Sequence, residues 1–227
     1  MNTIFSIILG VIVIVLLYLV YTYYFSSSTT ISSSLWLSNN NPPITTIANP
    51  HTSVFTYGLW IYINTWSQAP MNIFSCGTQG QTYFSLDLPT SSPTLTCTIN
   101  TGTTACSQGT SQTIVITNNF GIQRWVYVLV SVNTNIVDAY LDGKLVNSTQ
   151  LNGIPNISCP SNSWAINYGS GDIYISNFKR WTSATDPATA LSYYRQTRPA
   201  SSKIFSSYSA NVQLSVDNVP QQPIKIF

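Results

Sequence analysis

Glutamate is absent from this 227-residue chain, and charge of either sign is scarce. Charged residues make up 6% of the total, against roughly 25% in an average soluble domain. Glycoside hydrolysis normally needs two carboxylates flanking the scissile bond, and only aspartates are available. Asp138 and Asp142 are four apart, but Asp142 belongs to a turn. A Ser–His–Asp arrangement would have to use His51, with no nucleophile-elbow signature near any serine. Net charge is +2 and the basic residues are scattered, so the basic stripe of a nucleic-acid partner is missing. The four cysteines contain no C-x-x-C and meet only one histidine, which excludes the usual zinc spacings. No cofactor is implied.

The first charged residue is Asp87 and the first basic one is Arg124. Upstream of both lies Ile4 to Phe25, IFSIILGVIVIVLLYLVYTYYF, an uncharged and almost wholly apolar run. As a helix rising 1.5 Å per residue it is long enough for the ~30 Å hydrocarbon core. Tyr18, Tyr21, Tyr23, Tyr24 and Phe25 gather at its C-terminal end, as an interfacial aromatic belt would. A cleaved signal peptide would need a basic start, a shorter core and a small-residue cleavage site, so a retained single-pass anchor is expected. With no Lys or Arg nearby, the positive-inside rule gives no orientation. Ser26 to Pro43 is Ser/Thr/Asn-rich and poor in aliphatics, and reads as a linker or an extended arm.

Beyond it the pattern becomes period two. Phe55, Tyr57, Leu59, Ile61 and Ile63 share one face of a strand. Thr82 to Leu88, Thr94 to Ile99 and Thr113 to Thr117 alternate likewise. Trp125 to Asn133 follows with Val126, Val128, Val130 and Val132 on one side, then Ile136 to Leu141. Asp142-Gly143 is a two-residue type I′ hairpin signal. Trp164 to Tyr168 and Asp172 to Trp181 read as later strands. One helix is expected, with Asp186 as N-cap, Pro187 at N1 and Pro199 ending it. In the tail, Val212 to Val216 and Ile224 to Ile226 are strand-like, able to pair at home or add to a neighbour's edge.

Arg124 to Val132 followed by Ile136-Val-Asp-Ala-Tyr-Leu-Asp-Gly-Lys-Leu-Val146 resembles the central hairpin of the laminin-G-like, concanavalin A-like lectin superfamily. Phe55 to Ile63 resembles an early strand of that family. Asp172 to Trp181 with the Pro187 helix resembles its closing strand and terminal helix. The resemblance covers roughly Thr45 to Pro199. It implies an all-β fold: a two-sheet jelly-roll sandwich with one short C-terminal helix, here preceded by a single transmembrane α-helix. The expected organisation is an anchor over 1–25, a linker over 26–44, the sandwich over 45–200 and an extended tail over 201–227. Hydrolases of the superfamily carry Glu-x-Asp-x-Glu on one strand, which this chain lacks. The uncharged anchor, Asn/Ser/Thr-rich linker and this domain type together also resemble virion membrane proteins of large icosahedral DNA viruses.

Some laminin-G-like domains bind calcium through an Asp and loop carbonyls. Asp138 and Asp172 are the weak candidates, neither matching a transferable motif; the plainer reading is that Asp172 starts a strand after Gly169-Ser-Gly171 and Asp138 faces solvent. Cys97 and Cys106 flank a short Thr/Gly-rich turn, which suits a hairpin disulfide and leaves Cys76 and Cys159 as the second pair; buried free thiols are the alternative. Asn147 and Asn156 begin glycosylation acceptor triplets, informative only if the domain enters the secretory lumen. Trp60 and Tyr62 lie opposite the Phe55/Leu59 face and Trp66, Trp164 and Trp181 lie near strand ends. Such rings can stack on sugars, although most aromatics in a sandwich are core.

The expected function is a non-enzymatic, membrane-anchored interaction module. Its bilayer partner is met through residues 4–25, and its protein partners are neighbouring capsid or membrane proteins. The leading version is a minor capsid protein joining a virion's internal membrane to its shell, placed on that membrane and facing the shell. The alternative is a glycan-binding adhesin on a cell or virion surface.

Overall fold

Two faces of alternating side chains meet in a sandwich of two six-stranded antiparallel sheets. The computed structural model describes residues 9–18, 28–37, 41–47, 49–67, 69–78, 81–89, 92–102, 109–155 and 164–198, with short strands at 211–212, 215–216, 219–220 and 224–225. In chain order come helix α1 (residues 9–18), β1 (Ser28–Trp36), β2 (Val54–Ile63), β3 (Met71–Thr78) and β4 (Gln81–Leu88). Then follow β5 (Leu95–Gly102), β6 (Thr110–Thr117), β7 (Trp125–Asn133), β8 (Ile136–Leu141) and β9 (Lys144–Gln150). The last are β10 (Ile154–Pro155), β11 (Ala165–Tyr168), β12 (Ile173–Trp181) and helix α2 (Pro187–Thr197).

Sheet A runs β1-β12-β2-β7-β8-β9, and sheet B runs β10-β5-β4-β3-β11 with β6 paired to β5. The core lies between them. From sheet A come Phe55, Tyr57, Leu59, Ile61 and Ile63 of β2, and the four valines Val126, Val128, Val130 and Val132 of β7. Sheet B answers with Phe74, Phe84, Leu86 and Ile99. Each such side chain contributes roughly 1.5–3 kcal/mol when fully buried. Beneath them sits a polar group: Arg180, 2% exposed, holds its guanidinium 5.9 Å above the Tyr57 ring and donates to the Asn49 carbonyl at 2.9 Å.

Side-chain amides clasp one flank of the sandwich. Asn147 Nδ2 donates to the Val115 carbonyl at 2.7 Å, and the Asn152 N–H donates to Gln112 Oε1 at 3.0 Å, so β9 of one sheet is tied to β6 of the other. On the opposite flank the chain leaves β1, buries Leu37 completely and crosses to sheet B, where Ile44 bridges Ile166.

The stretch expected as a linker is therefore structural. Ser28–Trp36 is the edge strand of sheet A, antiparallel to β12 from Ser28↔Trp181 to Trp36↔Tyr174. An edge strand needs only one line of inward side chains. Ile31 and Leu35 supply it, packed on the core, while Thr30, Ser33 and Ser34 face solvent. The sandwich begins at Ser28 and not near residue 45.

α1 is described over ten residues, all exposed, which rise about 15 Å, half the ~30 Å of a hydrocarbon core. Among the described residues no helix is long and apolar enough to cross a membrane. The rest of the 4–25 run lies outside the described residues. In the tail, Asn211–Val212 pairs with Ile224–Lys225 and Ser215–Val216 with Val219–Pro220, so these strands join one another.

α2 forms where its caps dictate. Asp186 accepts from the N–H groups of Ala188 and Thr189 at 2.9 and 3.1 Å and from the Thr189 hydroxyl at 2.5 Å. Pro187 fills the first helical position, where an absent N–H costs nothing. The loop into the helix is pinned to sheet A: the Thr185 N–H donates to Ser131 Oγ at 2.8 Å and the Tyr140 hydroxyl donates to the Thr185 carbonyl at 3.3 Å.

Candidate functional site

Sheet A has a second, outward face, and α2 covers part of it. Trp60, Tyr127, Leu129 and Tyr140 point out from β2, β7 and β8 and pack with Ala190 of α2 in a separate small core. Tyr194 lies 5.5 Å from Trp60 between ring centres, and Trp60 Nε1 donates to Thr197 Oγ1 at 3.0 Å. Trp181 stacks on Tyr193 at 4.5 Å.

One register step beyond the helix, four aromatic residues cross four adjacent strands in a line. Trp36 of β1 pairs with Tyr174 of β12, Tyr174 with Tyr62 of β2, and Tyr62 with Trp125 of β7. Their neighbours Leu35, Ile173, Ile175, Ile61, Ile63 and Val126 all pack inward, so alternation sends all four rings to the outer face. Ring centres stand 6.2 Å apart for Trp36–Tyr174, 6.3 Å for Tyr174–Tyr62 and 5.5 Å for Tyr62–Trp125. Trp36 is 52% and Tyr174 40% exposed, while Tyr62 and Trp125 are half-buried. Four large rings in a row, two exposed and two half-buried, with Trp125 also packed on the cluster under α2, make an apolar surface patch of the kind that marks interaction sites.

Polar groups border the row. Asp172, one residue before β12, accepts from Asn64 Nδ2 at 2.7 Å and Thr65 Oγ1 at 2.8 Å. Those two hydrogen bonds, with a smaller one from the Trp36 side chain, hold its carboxyl below the usual carboxylate range. At the Trp125 end Arg124 pairs with Asp142 at 3.4 Å. Both partners are solvated, so the pair is worth at most about 1 kcal/mol.

The residues singled out in the sequence are dispersed. Asp142 and Gly143 form the β8–β9 turn with φ of +50° and +77°. Asp142 Oδ1 also accepts from the Tyr127 N–H at 2.9 Å. A Cβ on Gly143 would lie 3.0 Å from Leu191 Cα, so the turn is packed under α2. Asp138 accepts from Ser148 Oγ at 2.6 Å and stands level with Ser131, Thr56 and Trp181 across the sheet. That is the far end of β12 from Asp172, so the two calcium candidates cannot share an ion. Among the described residues no cluster of three His, Cys, Asp or Glu side chains forms.

Cys76 and Cys97 are free thiols buried in the core. Cys106 and Cys159, the other halves of the expected pairs, lie outside the described residues. Burial pushes the Cys76 thiol up to about 12 and raises Cys97 as well, so both are inert as thiolates. Asn147 has both ends of its amide engaged, accepting from Thr149 Oγ1 at 3.0 Å besides its bond to Val115. Asn156 lies outside the described residues.

Of the aromatics marked as sugar-stacking candidates, Trp60, Trp164 and Trp181 are buried, and Trp66 packs half-buried on the core. Only Tyr62 belongs to the row. Tyr174 and Trp125 were legible from alternation, each flanked by inward aliphatics. Trp36 was hidden by its Ser/Thr-rich surroundings.

A family model described as the concanavalin A-like lectin/glucanases superfamily matches residues 27–190. Its start coincides with β1. No curated protein matches the sequence significantly. Among solved structures, the binding domain of paraclostridial mosquitocidal protein 1 is similar at 13% identity and TM-score 0.58, over 75% of this chain and 46% of that one. The binding domain of botulinum neurotoxin DC, in complex with rat synaptotagmin II, is similar at 14% identity and TM-score 0.57, again over 75% and 46%. A third concerns botulinum neurotoxin type C, whose cell entry depends upon interaction with two ganglioside molecules; it is similar at 17% identity and TM-score 0.52, over 65% and 36%. At these identities the likeness is one of fold. This chain spans less than half the length of each.

Proposed function

This chain belongs to the concanavalin A-like lectin/glucanases superfamily, and from that premise we propose that it is a non-enzymatic, membrane-tethered glycan-binding module. The observation that carries the reading is the row Trp36–Tyr174–Tyr62–Trp125 beside the ionised Asp172. Aromatic faces receive the apolar C–H faces of sugars, and a carboxylate with neighbouring amide and hydroxyl groups accepts and donates to their hydroxyls. The same arrangement offers no pair of carboxylates for hydrolysis. Asp172 is the acid beside the row, level with Asn64 on the side away from α2, and Asp142 is engaged by Arg124 and a backbone N–H.

Two of the similar structures belong to toxins described as meeting gangliosides or synaptotagmin, which supports a receptor-binding use of the fold. A shell-linking role has no comparable observation behind it, and glycan binding takes its place as the leading reading. The anchor is the apolar 4–25 run, with α1 inside it. Ser28 and Trp36 stand at opposite ends of β1, about 26 Å apart at ~3.3 Å per residue. Trp36 thus lies at the end of β1 far from Ser28, and Ser28 is the end nearer the apolar run in the chain.

The test is a glycan array probed with the full chain in a polyoxyethylene detergent, which carries no sugar headgroup. Binding to a coherent group of glycans, lost in Trp36→Ala, supports the reading. An empty array with folded protein overturns it.

A further inference from the structure

We propose that Asn152 is a site of spontaneous covalent modification: it deamidates through Gly153, and the isoaspartate so formed loosens the clasp between the two sheets on the β9 flank. The inference is independent of the glycan-binding reading.

Asn152-Gly153 is the single Asn-Gly pair in the chain. Asparagine is a thermolabile side chain, and its loss of ammonia needs the peptide nitrogen of the next residue to reach the side-chain carbonyl carbon. A side chain on that next residue obstructs the approach, whereas glycine has no Cβ and constrains the backbone least. The pair lies in the bend between β9 and β10, outside both strands, with Asn152 exposed. Among the described residues its side-chain amide has no partner, and only its backbone N–H is engaged, by Gln112 Oε1.

Asn147 is the opposite case. It sits within β9, Ser148 follows it, and its amide is held at both ends by the Val115 carbonyl and the Thr149 hydroxyl. Folding holds that side chain away from the attacking geometry and leaves the one on Asn152 to sample it.

The step balances with water as the sole co-reactant. The Gly153 nitrogen loses its proton and bonds to Asn152 Cγ, the Cγ–Nδ2 bond breaks, and ammonia leaves. Water then opens the cyclic imide at either carbonyl, giving aspartate or isoaspartate. In the isoaspartate the main chain runs through Cβ and is one carbon longer.

That carbon enters a segment anchored at both ends. Upstream, the Leu151 N–H donates to the Asn135 carbonyl at 2.7 Å and the Leu151 side chain is buried. Downstream, Ile154 and Pro155 pair with Gly102 and Thr101 of β5. Between them the chain passes from sheet A to sheet B. Gln112 of β6 grips it there, accepting from the Asn152 N–H at 3.0 Å and donating to the Gln150 carbonyl at 3.4 Å. A lengthened chain gives up either the Gln112 contacts or the β10–β5 pairing.

The test ages the full chain in polyoxyethylene detergent at neutral pH and body temperature, with the urea-unfolded chain beside it, and maps isoaspartate by electron-transfer fragmentation of its peptides. In the folded chain Asn152 is expected to convert at least tenfold faster than Asn147, and faster still as pH rises, because the attacking nitrogen must be deprotonated. A Cβ on Gly153 would stand 3.5 Å from the nearest atom, Thr101 Cβ, an ordinary contact. Gly153→Ala should therefore fold as wild type does and slow conversion tenfold or more. The isoaspartate form, separated by ion exchange, should melt about 2–4 °C lower, the shift that losing about one hydrogen bond produces in a domain of this size. Asn152→Asp, which adds the charge without lengthening the chain, should melt close to wild type. Conversion at Asn152 no faster than at Asn147, or found only in the unfolded chain, overturns the site. Conversion with an unchanged melting temperature overturns the loosened clasp.

Discussion

The outer face of sheet A carries the same kind of side chain in two neighbouring rows with opposite fates. Trp60 and Tyr127, both 1% exposed, are roofed by α2. Two residues further along the same strands, the half-buried Tyr62 and Trp125 continue into Tyr174 and Trp36, which are exposed. Alternation alone treats the rows alike, since both are outward positions on strands whose inward side is core. What separates them is the length of one helix, which ends at Thr197 above Trp60. The covered row is a stability element, and the less covered row is the one the glycan-binding proposal rests on.

The comparison breaks most severely at Trp60. Trp60→Ala should cost about 3–5 kcal/mol, because the cavity under α2 cannot close fully, and chemical denaturation should show it as a lower midpoint. A loss below about 1 kcal/mol would mean that the helix does not seal this row. Next in size is Gly58→Ala. A Cβ there would stand 2.7 Å from the Tyr127 hydroxyl and 2.9 Å from Trp181 Cζ3, so overpacking of about 1–3 kcal/mol is expected.

Asp186→Ala removes the cap that starts the roof and should cost about 1 kcal/mol. The pH dependence has a definite sign. Hydrogen bonds from the Thr189 side chain, then its N–H, hold the folded carboxyl below its ordinary value. The unfolded chain therefore binds the proton first. The cap's contribution is complete above about pH 4–5 and is lost as pH falls through the folded value. Stability curves of wild type and Asp186→Ala should converge in acid. If they stay parallel, the cap is not the source.

Smallest in stability and largest in binding is Trp36→Ala. At an exposed position the change in unfolding free energy should stay within about 0.5 kcal/mol, while glycan affinity falls tenfold or more. Asp172 sharpens the contrast further. Its carboxyl is held low by Asn64, then Thr65, so binding should be flat across neutral pH and weaken only below the usual carboxylate range. Loss of binding between pH 8 and 6 would point to a different group.

Much of the sandwich was readable in one dimension. β2 and β7 declare themselves by uninterrupted alternation, and α2 by Asp186-Pro187. β3 does not. Register shifts between Asn72 and Phe74 and between Cys76 and Gly77 break its period, so Met71–Thr78 shows no clean two-residue rhythm. β1 fails for another reason: an edge strand with one wet face can be built almost entirely from Ser and Thr. Losing β1 from the sequence reading also lost Trp36, and with it the end of the aromatic row.

Local chemistry thus determined the elements whose signals are contiguous: the apolar 4–25 run, the alternating strands, the Asp142-Gly143 turn, the capped helix and the lack of a glutamate pair for hydrolysis. Tertiary structure alone decided which residues from distant parts of the chain stand side by side. It set Asp138 and Asp172 at opposite ends of a sheet, sank Cys76 and Cys97 into the core, and drew Trp36, Tyr62, Trp125 and Tyr174 into one line. Strand register and the reach of a covering helix are long-range quantities. They depend on the packing of the whole sandwich, and no window of neighbouring residues contains them.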